Sequence, residues 1–210
     1  MPAPNRPIRL HRLALSGHSH RVELMLSLLG LPHTCVDVDF ARAEHKSPAF
    51  LAMNAFGQVP VIEDGDLTLA DSNAILLYLD ARYAPGQWMP RDAAGAARVQ
   101  RWLSAAAGPL AFGPAAARVI HLFKRPEDPA PAQQRAAALF AVVEQELGAT
   151  GWLAGANRTL ADVAFYSYTA TAPEGGVSLA PYPRIRGWLA RVEALPGFVP
   201  MPRSPAGLAA

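Results

Sequence analysis

Residues 56–79, FGQVPVIEDGDLTLADSNAILLYL, set a proline at the head of an apolar run and close on a helical pattern opened by Asp-Ser. Pro60 has no N–H to give to a sheet ladder, so it suits a strand's first residue or an edge. Val61-Ile62-Glu63 reads as that strand, Asp64-Gly65-Asp66 as a tight turn, and Leu67-Thr68-Leu69 as the returning strand. Asp71 and Ser72 then carry side chains suited to capping the helix that follows, over 71 to 83. A hairpin that runs straight into a capped helix brings a strand edge next to a helix N-terminus.

Working outward, residues 8–15 (IRLHRLAL) predict a strand, 20–29 a helix, and 33–40 (HTCVDVDF) a second strand, with Gly30-Leu31-Pro32 as the stop between them. A short helical segment covers 47–53, giving the order βαβ, α, ββα. The character changes at YAPGQWMPRDAAG (83–95), where Pro and Gly cluster and strand-like alternation ceases. Beyond it, 93–123, 132–148, 159–171 and 183–195 are Ala- and Leu-rich stretches of helical period. The expected architecture is α/β plus all-α: a first domain over 1–84, a linker over 85–92, and an all-helical domain over 93–210.

With 210 residues and 51% hydrophobic composition the chain has ample material for buried cores. The net charge of +2 is spread without a basic block, which argues against nucleic acid as a partner. MPAPNRPIRL lacks the apolar core of a signal peptide, and the longest charge-free run, WLSAAAGPLAFGPAAA (102–117), is cut twice by Gly-Pro, so a cytoplasmic protein with no membrane partner is expected. The single cysteine, Cys35, suits a reducing compartment and reads as a buried strand thiol.

The chemistry collects around the hairpin. With a cis bond at Pro60, Val59 would present its backbone N–H and C=O as an edge able to pair with the main chain of a short peptide. The helix start at Asp71-Ser72 offers free N–H groups and the positive end of a dipole to a carboxylate, and the Ser72 hydroxyl can donate to the same anion. Asp71 either caps the helix or holds a ligand ammonium. Together these describe a receptor for an amino-acid-like ligand.

The run NAFGQVPVIEDGDLTLADSNAILLYL (54–79) resembles the glutathione-binding part of the glutathione transferase family. LALSGHSHRVELMLSLLGLP (13–32) resembles the family's first strand and helix, TLADVAFYSY (159–168) its capped helix in the second domain, and APYPRIRGWLARVEALPGF (180–198) is similar to the closing helix of many bacterial members. Ala55 stands where many members have proline. The resemblance implies a thioredoxin-like first domain, a helical-bundle second domain, a cis bond at Pro60, glutathione as cosubstrate and a homodimer. It implies that Val59 pairs with the cysteinyl unit of glutathione, that Ser72 and the helix start hold the γ-glutamyl carboxylate, that Asp71 faces its ammonium directly or through a dimer partner, and that Gln58 helps hold the same end. His45 and Lys46 fall where members often contact the glycyl carboxylate; as loop residues they are equally read as solvated.

A free cysteine thiol has a pKa of ~8.5, so at neutral pH little of it is the nucleophilic thiolate. A hydroxyl at the end of the first strand, beside a helix N-terminus, favours the anion by donating to sulfur. Ser16 is the first candidate. Ser19 in the same loop is the rival, with capping of the next helix as its simpler role. His18 is placed to touch glutathione or the electrophile, and His20 reads as a first-turn surface residue. Their H-x-H spacing lacks a third and fourth ligand, so no metal is implied. Trp102, Ala106 and Phe112 are candidates for the apolar wall of the electrophile site, or for core. The leading expectation is thiolate attack on a small apolar electrophile. Glutathione-dependent isomerisation, reduction of a disulfide or peroxide, and a non-catalytic glutathione-binding protein remain alternatives.

Overall fold

The computed structural model describes residues 3–204. It divides into two compact units, the first comprising the chain up to Gln87 together with Leu195–Met201, the second running from Trp88 to Ala194 and resuming at Pro202. The division falls inside the segment expected as a linker, but Trp88 is buried in the second unit, where its carbonyl accepts from the Leu160 N–H at 3.0 Å. Return of 195–201 to the first unit departs from the expected span of 93–210 for the second.

The first unit contains β1 (Ile8–Arg12), α1 (Gly17–Leu28), β2 (His33–Asp37), α2 (Pro48–Met53), β3 (Val61–Asp64), β4 (Leu67–Ala70) and α3 (Ser72–Tyr83). Its sheet has the order β2-β1-β3-β4. β1 runs parallel to β2 with Leu10 opposite Cys35, and antiparallel to β3 with Leu10 opposite Ile62. β3 and β4 form the expected hairpin, with Val61 opposite Ala70. This mixed sheet with its helices is the thioredoxin-like arrangement. Ile8, Leu10, Val22, Met25, Ile75 and Leu79 are fully buried, while Val38, Phe50 and Val61 form a second cluster with Val59 packed against it.

Three local expectations are corrected. β1 ends at Arg12 rather than residue 15, because Ser16 caps a helix that begins at Gly17, three residues earlier than predicted. β2 ends at Asp37 rather than residue 40. Cys35 is exposed rather than buried, on a strand that among the described residues pairs with β1 alone.

The second unit is helical: α4 (Ala93–Ala107), α5 (Ala116–Leu122), α6 (Ala130–Thr150), α7 (Leu160–Ala170) and α8 (Pro183–Glu193). The single helix expected over 93–123 is interrupted at Gly108 and by a π-helical turn, Ala111–Ala115, that accommodates Pro114. By length and composition Ala93–Leu122 could cross a membrane, but Val99, Trp102, Leu103 and Ala106 face a protein core. At the start of α7, Thr159 and Asp162 form the expected capping box. The buried Asp162 carboxylate accepts from the backbone N–H groups of Thr159 at 2.7 Å and Leu153 at 3.1 Å, and from Trp188 Nε1 at 2.9 Å.

Candidate functional site

Two helix starts and one hairpin of the first unit carry most of the predicted residues. At the first, Ser16 is the N-cap of α1, its Oγ accepting from the Ser19 N–H at 3.3 Å. A hydroxyl that accepts this bond keeps its own proton to donate, so capping and donation to an incoming sulfur are compatible in one group. Ser19 does not cap. It is fully buried, and its Oγ accepts from the Leu13 N–H at 3.3 Å, which ties the end of the strand segment to the helix.

At the second helix start, Asp71 is the N-cap of α3, with its Oδ1 accepting from the N–H groups of Asn73 and Ala74, both at 2.9 Å. Its φ of 73° is unusual for a residue with a side chain and costs roughly 1–3 kcal/mol. That conformation delivers Ser72 into the first turn with its hydroxyl almost wholly buried. Ser72 Oγ accepts from Arg21 Nη1 at 3.3 Å and lies 3.3 Å from His18 Nδ1. Having accepted from Arg21, the Ser72 hydroxyl retains a proton for His18 or for an anion.

Sequence reasoning missed Arg21. It is fully buried, and its Nη1 also donates to Asn73 Oδ1 at 2.9 Å. The available signal was helical spacing: residue 21 lies one turn before Met25, a fully buried position of α1. A buried guanidinium behind Ser72 adds positive potential where the helix dipole already favours a carboxylate. The same cation, after burial itself, helps push the His18 pKa down to about 3, so His18 is a neutral imidazole near neutral pH. His20 is corrected from a surface residue to a buried one: its Nε2 donates to the Val199 carbonyl at 3.0 Å, and burial pushes its pKa down to about 4.

The Val59–Pro60 peptide bond is cis, and Val59 lies just before the ladder that begins at Val61. Gln58 is exposed, and its carbonyl accepts from Asn54 Nδ2 at 2.8 Å. Lys46 donates its Nζ to the carbonyls of Phe56 at 3.3 Å and Gly57 at 3.4 Å, so its charge braces the loop before Pro60. Gly57 is required there: its φ is +60°, and a Cβ would come within 2.7 Å of the His45 carbonyl oxygen. His45 stacks on Phe40 at 4.0 Å between ring centroids, with a buried Nδ1 that has no hydrogen-bond partner.

Residues 15–82 match the glutathione S-transferase N-terminal domain family and residues 103–196 its C-terminal domain family. The chain belongs to the glutathione S-transferase family. Glutathione S-transferase 3 of Zea mays is 32% identical over 97% of this chain and 99% of its own length. Maleylacetoacetate isomerase of Pseudomonas aeruginosa is 32% identical over 91% of this chain and 93% of its own. The crystal structure of a glutathione S-transferase from Pseudomonas fluorescens superposes with a TM-score of 0.88, at 33% identity, over 94% of this chain and 100% of that one. The protein is a glutathione transferase, and the family uses glutathione as cosubstrate.

In the second unit of the transferase, Trp102 and Phe112 line one groove of about 850 Å³ between α4 and α6, together with Ala105, Leu139 and Val142. Phe112, on the π-helical turn, is 64% exposed. Trp102 spends most of its surface in the core, edge-on to Phe165 at 5.1 Å, and Ala106 is fully buried and does not line the groove.

Proposed function

We propose that this transferase binds glutathione along Val59 and across the Ser72 helix start, and that Ser16 donates a hydrogen bond to the glutathione sulfur, a serine-type activation in the cytoplasm. The observation that carries the reading is the cluster at the start of α3, where a buried guanidinium and a neutral imidazole both address Ser72 Oγ. In this reading the γ-glutamyl carboxylate sits on the Ser72 N–H and hydroxyl, and its ammonium faces Asp71. The cysteinyl backbone pairs with Val59, and Gln58, Lys46 and His45 flank the ligand. Ser16 is preferred to Ser19 because Ser19 is fully enclosed and its oxygen is occupied by Leu13. His18 contributes a neutral ring, so it orients Ser72 and adds no charge to the anion.

Isothermal calorimetry tests the binding half. Glutathione should bind the wild-type chain, and Ser72→Ala should weaken binding by about tenfold, the loss of one hydrogen bond to a charged group. Equal affinities would remove Ser72 from the carboxylate site.

We propose that the thiolate attacks a small apolar electrophile at carbon, and that Phe112 and Trp102 in the groove of the second unit are candidates for apolar contact with such a molecule. The transferase also acts in this reading as a homodimer, since Phe56 is 80% exposed and Phe112 and Val142 are bared on the second unit. Phe112→Arg separates the two occupants of the groove. Loss of turnover with an unchanged sedimentation coefficient assigns the groove to the electrophile, whereas a monomer with intact turnover assigns it to the second copy. The isomerase among the relatives supports one alternative, isomerisation on the same site, which is recognised by product formation without net consumption of glutathione.

A further inference from the structure

On the sheet edge, β2 places His33 and Cys35 two residues apart, so both side chains leave the same face of the strand. Glu23 of α1 meets them there. One ring nitrogen of His33, the Cys35 Sγ and a Glu23 carboxylate oxygen all lie within 4.8 Å of one another. The Cys35 Sγ to Glu23 Oε1 distance is 3.7 Å. A tetrahedral zinc with bonds of ~2.3 Å to sulfur and ~2.1 Å to oxygen separates those two ligands by about 3.6 Å.

The surroundings orient each donor. His33 Nδ1 lies 2.8 Å from the Leu31 carbonyl oxygen, a partner that can only accept, so Nδ1 carries the proton and Nε2 keeps a lone pair. Arg12 Nη1 donates to Glu23 Oε2 and leaves Oε1 turned to the thiol, while Arg12 Nε donates to Asp37 Oδ1 at 2.9 Å. Cys35 is exposed, so an ion has a path in from solvent.

We propose that Glu23, His33 and Cys35 form a divalent-metal site, with zinc as the ion that best suits one thiolate, one imidazole and one carboxylate, and with a water in the fourth position. Binding forms Zn–S, Zn–N and Zn–O bonds and releases the Cys35 thiol proton to solvent. The two ligand charges balance the ion. The site joins α1 to the edge strand, and it is separate from the glutathione cluster in residues and in chemistry. By sequence, the His18 and His20 pair alone is weighed and no metal is expected; here two ligands lie on one strand and the third lies in the preceding helix.

Cobalt, with its visible spectrum, tests the site. Untagged protein kept reduced by a non-thiol reductant, without glutathione, should take up one equivalent of Co²⁺ with a thiolate-to-metal charge-transfer band and the intense visible bands of a tetrahedral ion. One equivalent of Zn²⁺ should displace it. Cys35→Ser should abolish the charge-transfer band, and His33→Asn and Glu23→Gln should each weaken zinc binding at least tenfold in competition with a chromophoric chelator. Zinc should raise the thermal midpoint of the wild type and leave that of Cys35→Ser unchanged. Because Glu23→Gln also alters the partner of Arg12, His33→Asn is the decisive variant. Wild-type zinc affinity in that folded variant, or no uptake of cobalt by the wild type, overturns the site and leaves Cys35 an ordinary surface thiol.

Discussion

Ser16 is the residue on which the catalytic reading turns. Its hydroxyl already accepts the Ser19 N–H, so Ser16→Ala removes a helix cap, worth about 1 kcal/mol of stability, along with the donor to sulfur. The catalytic effect is distinct from that loss: a hydrogen bond to a charged group is worth ~1.5–3 kcal/mol, so the pKa of bound glutathione should rise by about one to two units. Turnover should fall roughly ten- to a hundredfold, with glutathione affinity largely kept. Titrating thiolate absorbance of the bound ligand measures the shift. Ser19→Ala should cost stability, because the Leu13 N–H loses its acceptor, and leave the thiol pKa in place. An unchanged pKa in Ser16→Ala would hand activation to backbone donors at the helix start. Asp-Ser placed Ser72 at its helix start, whereas Ser16 was read as the end of a strand with Ser19 as the cap, and the structure gives that cap to Ser16. Arg21 was missed although its spacing one turn before Met25 marks the buried face of α1, because an arginine on such a face is ordinarily read as exposed.

The elements of the hairpin and the capped helices were read from local chemistry: Asp-Gly at a turn, Asp-Ser and Thr-x-x-Asp at helix starts. Failures came where a tertiary contact decides. Helical composition over 93–123 hid the break around Pro114, where Gly113 lies so close to α6 that an added Cβ would approach the Ala136 backbone nitrogen to 3.0 Å. A composition argument cannot register that approach. At α7 the local signal understated the residue, because Asp162 does more than cap: it also serves Leu153 and Trp188, from the segments on either side. Thr159→Ala should therefore cost about 1 kcal/mol, as for an ordinary cap. Asp162→Ala leaves several buried donors without an acceptor and should cost about 3–5 kcal/mol. Urea denaturation of both variants makes the comparison, and equal losses would reduce Asp162 to a simple capping residue.

At the scale of the molecule, the sequence pattern showed two kinds of structure but not that the chain returns to its first unit after α8. The return is made by contacts with no sequence signature: Ser27 Oγ donates to the Gly197 carbonyl at 2.6 Å, and His20 Nε2 donates to the Val199 carbonyl at 3.0 Å. Gly197, with φ +83°, lies where a Cβ would come within 2.6 Å of the Ser27 carbonyl oxygen, so the segment docks through its backbone. His20 makes this docking sensitive to pH. Burial holds its pKa at about 4 against an ordinary 6.5, with Arg12 and Arg21 pressing the same way and the Val199 bond and Glu23 opposing. Between those values the unfolded chain binds a proton that the folded chain does not, so stability rises with pH there and falls as pH drops from 6.5 toward 4. The full effect of a shift of that size is about 3 kcal/mol. His20→Gln keeps a side-chain N–H for Val199 and removes the titration. Urea midpoints measured from pH 7 to 4.5 should therefore fall less steeply in His20→Gln than in the wild type, with similar values for both near pH 7. Parallel slopes would mean that the acid sensitivity lies elsewhere, with His18 the next histidine to test, since its pKa is held to about 3 in the same way.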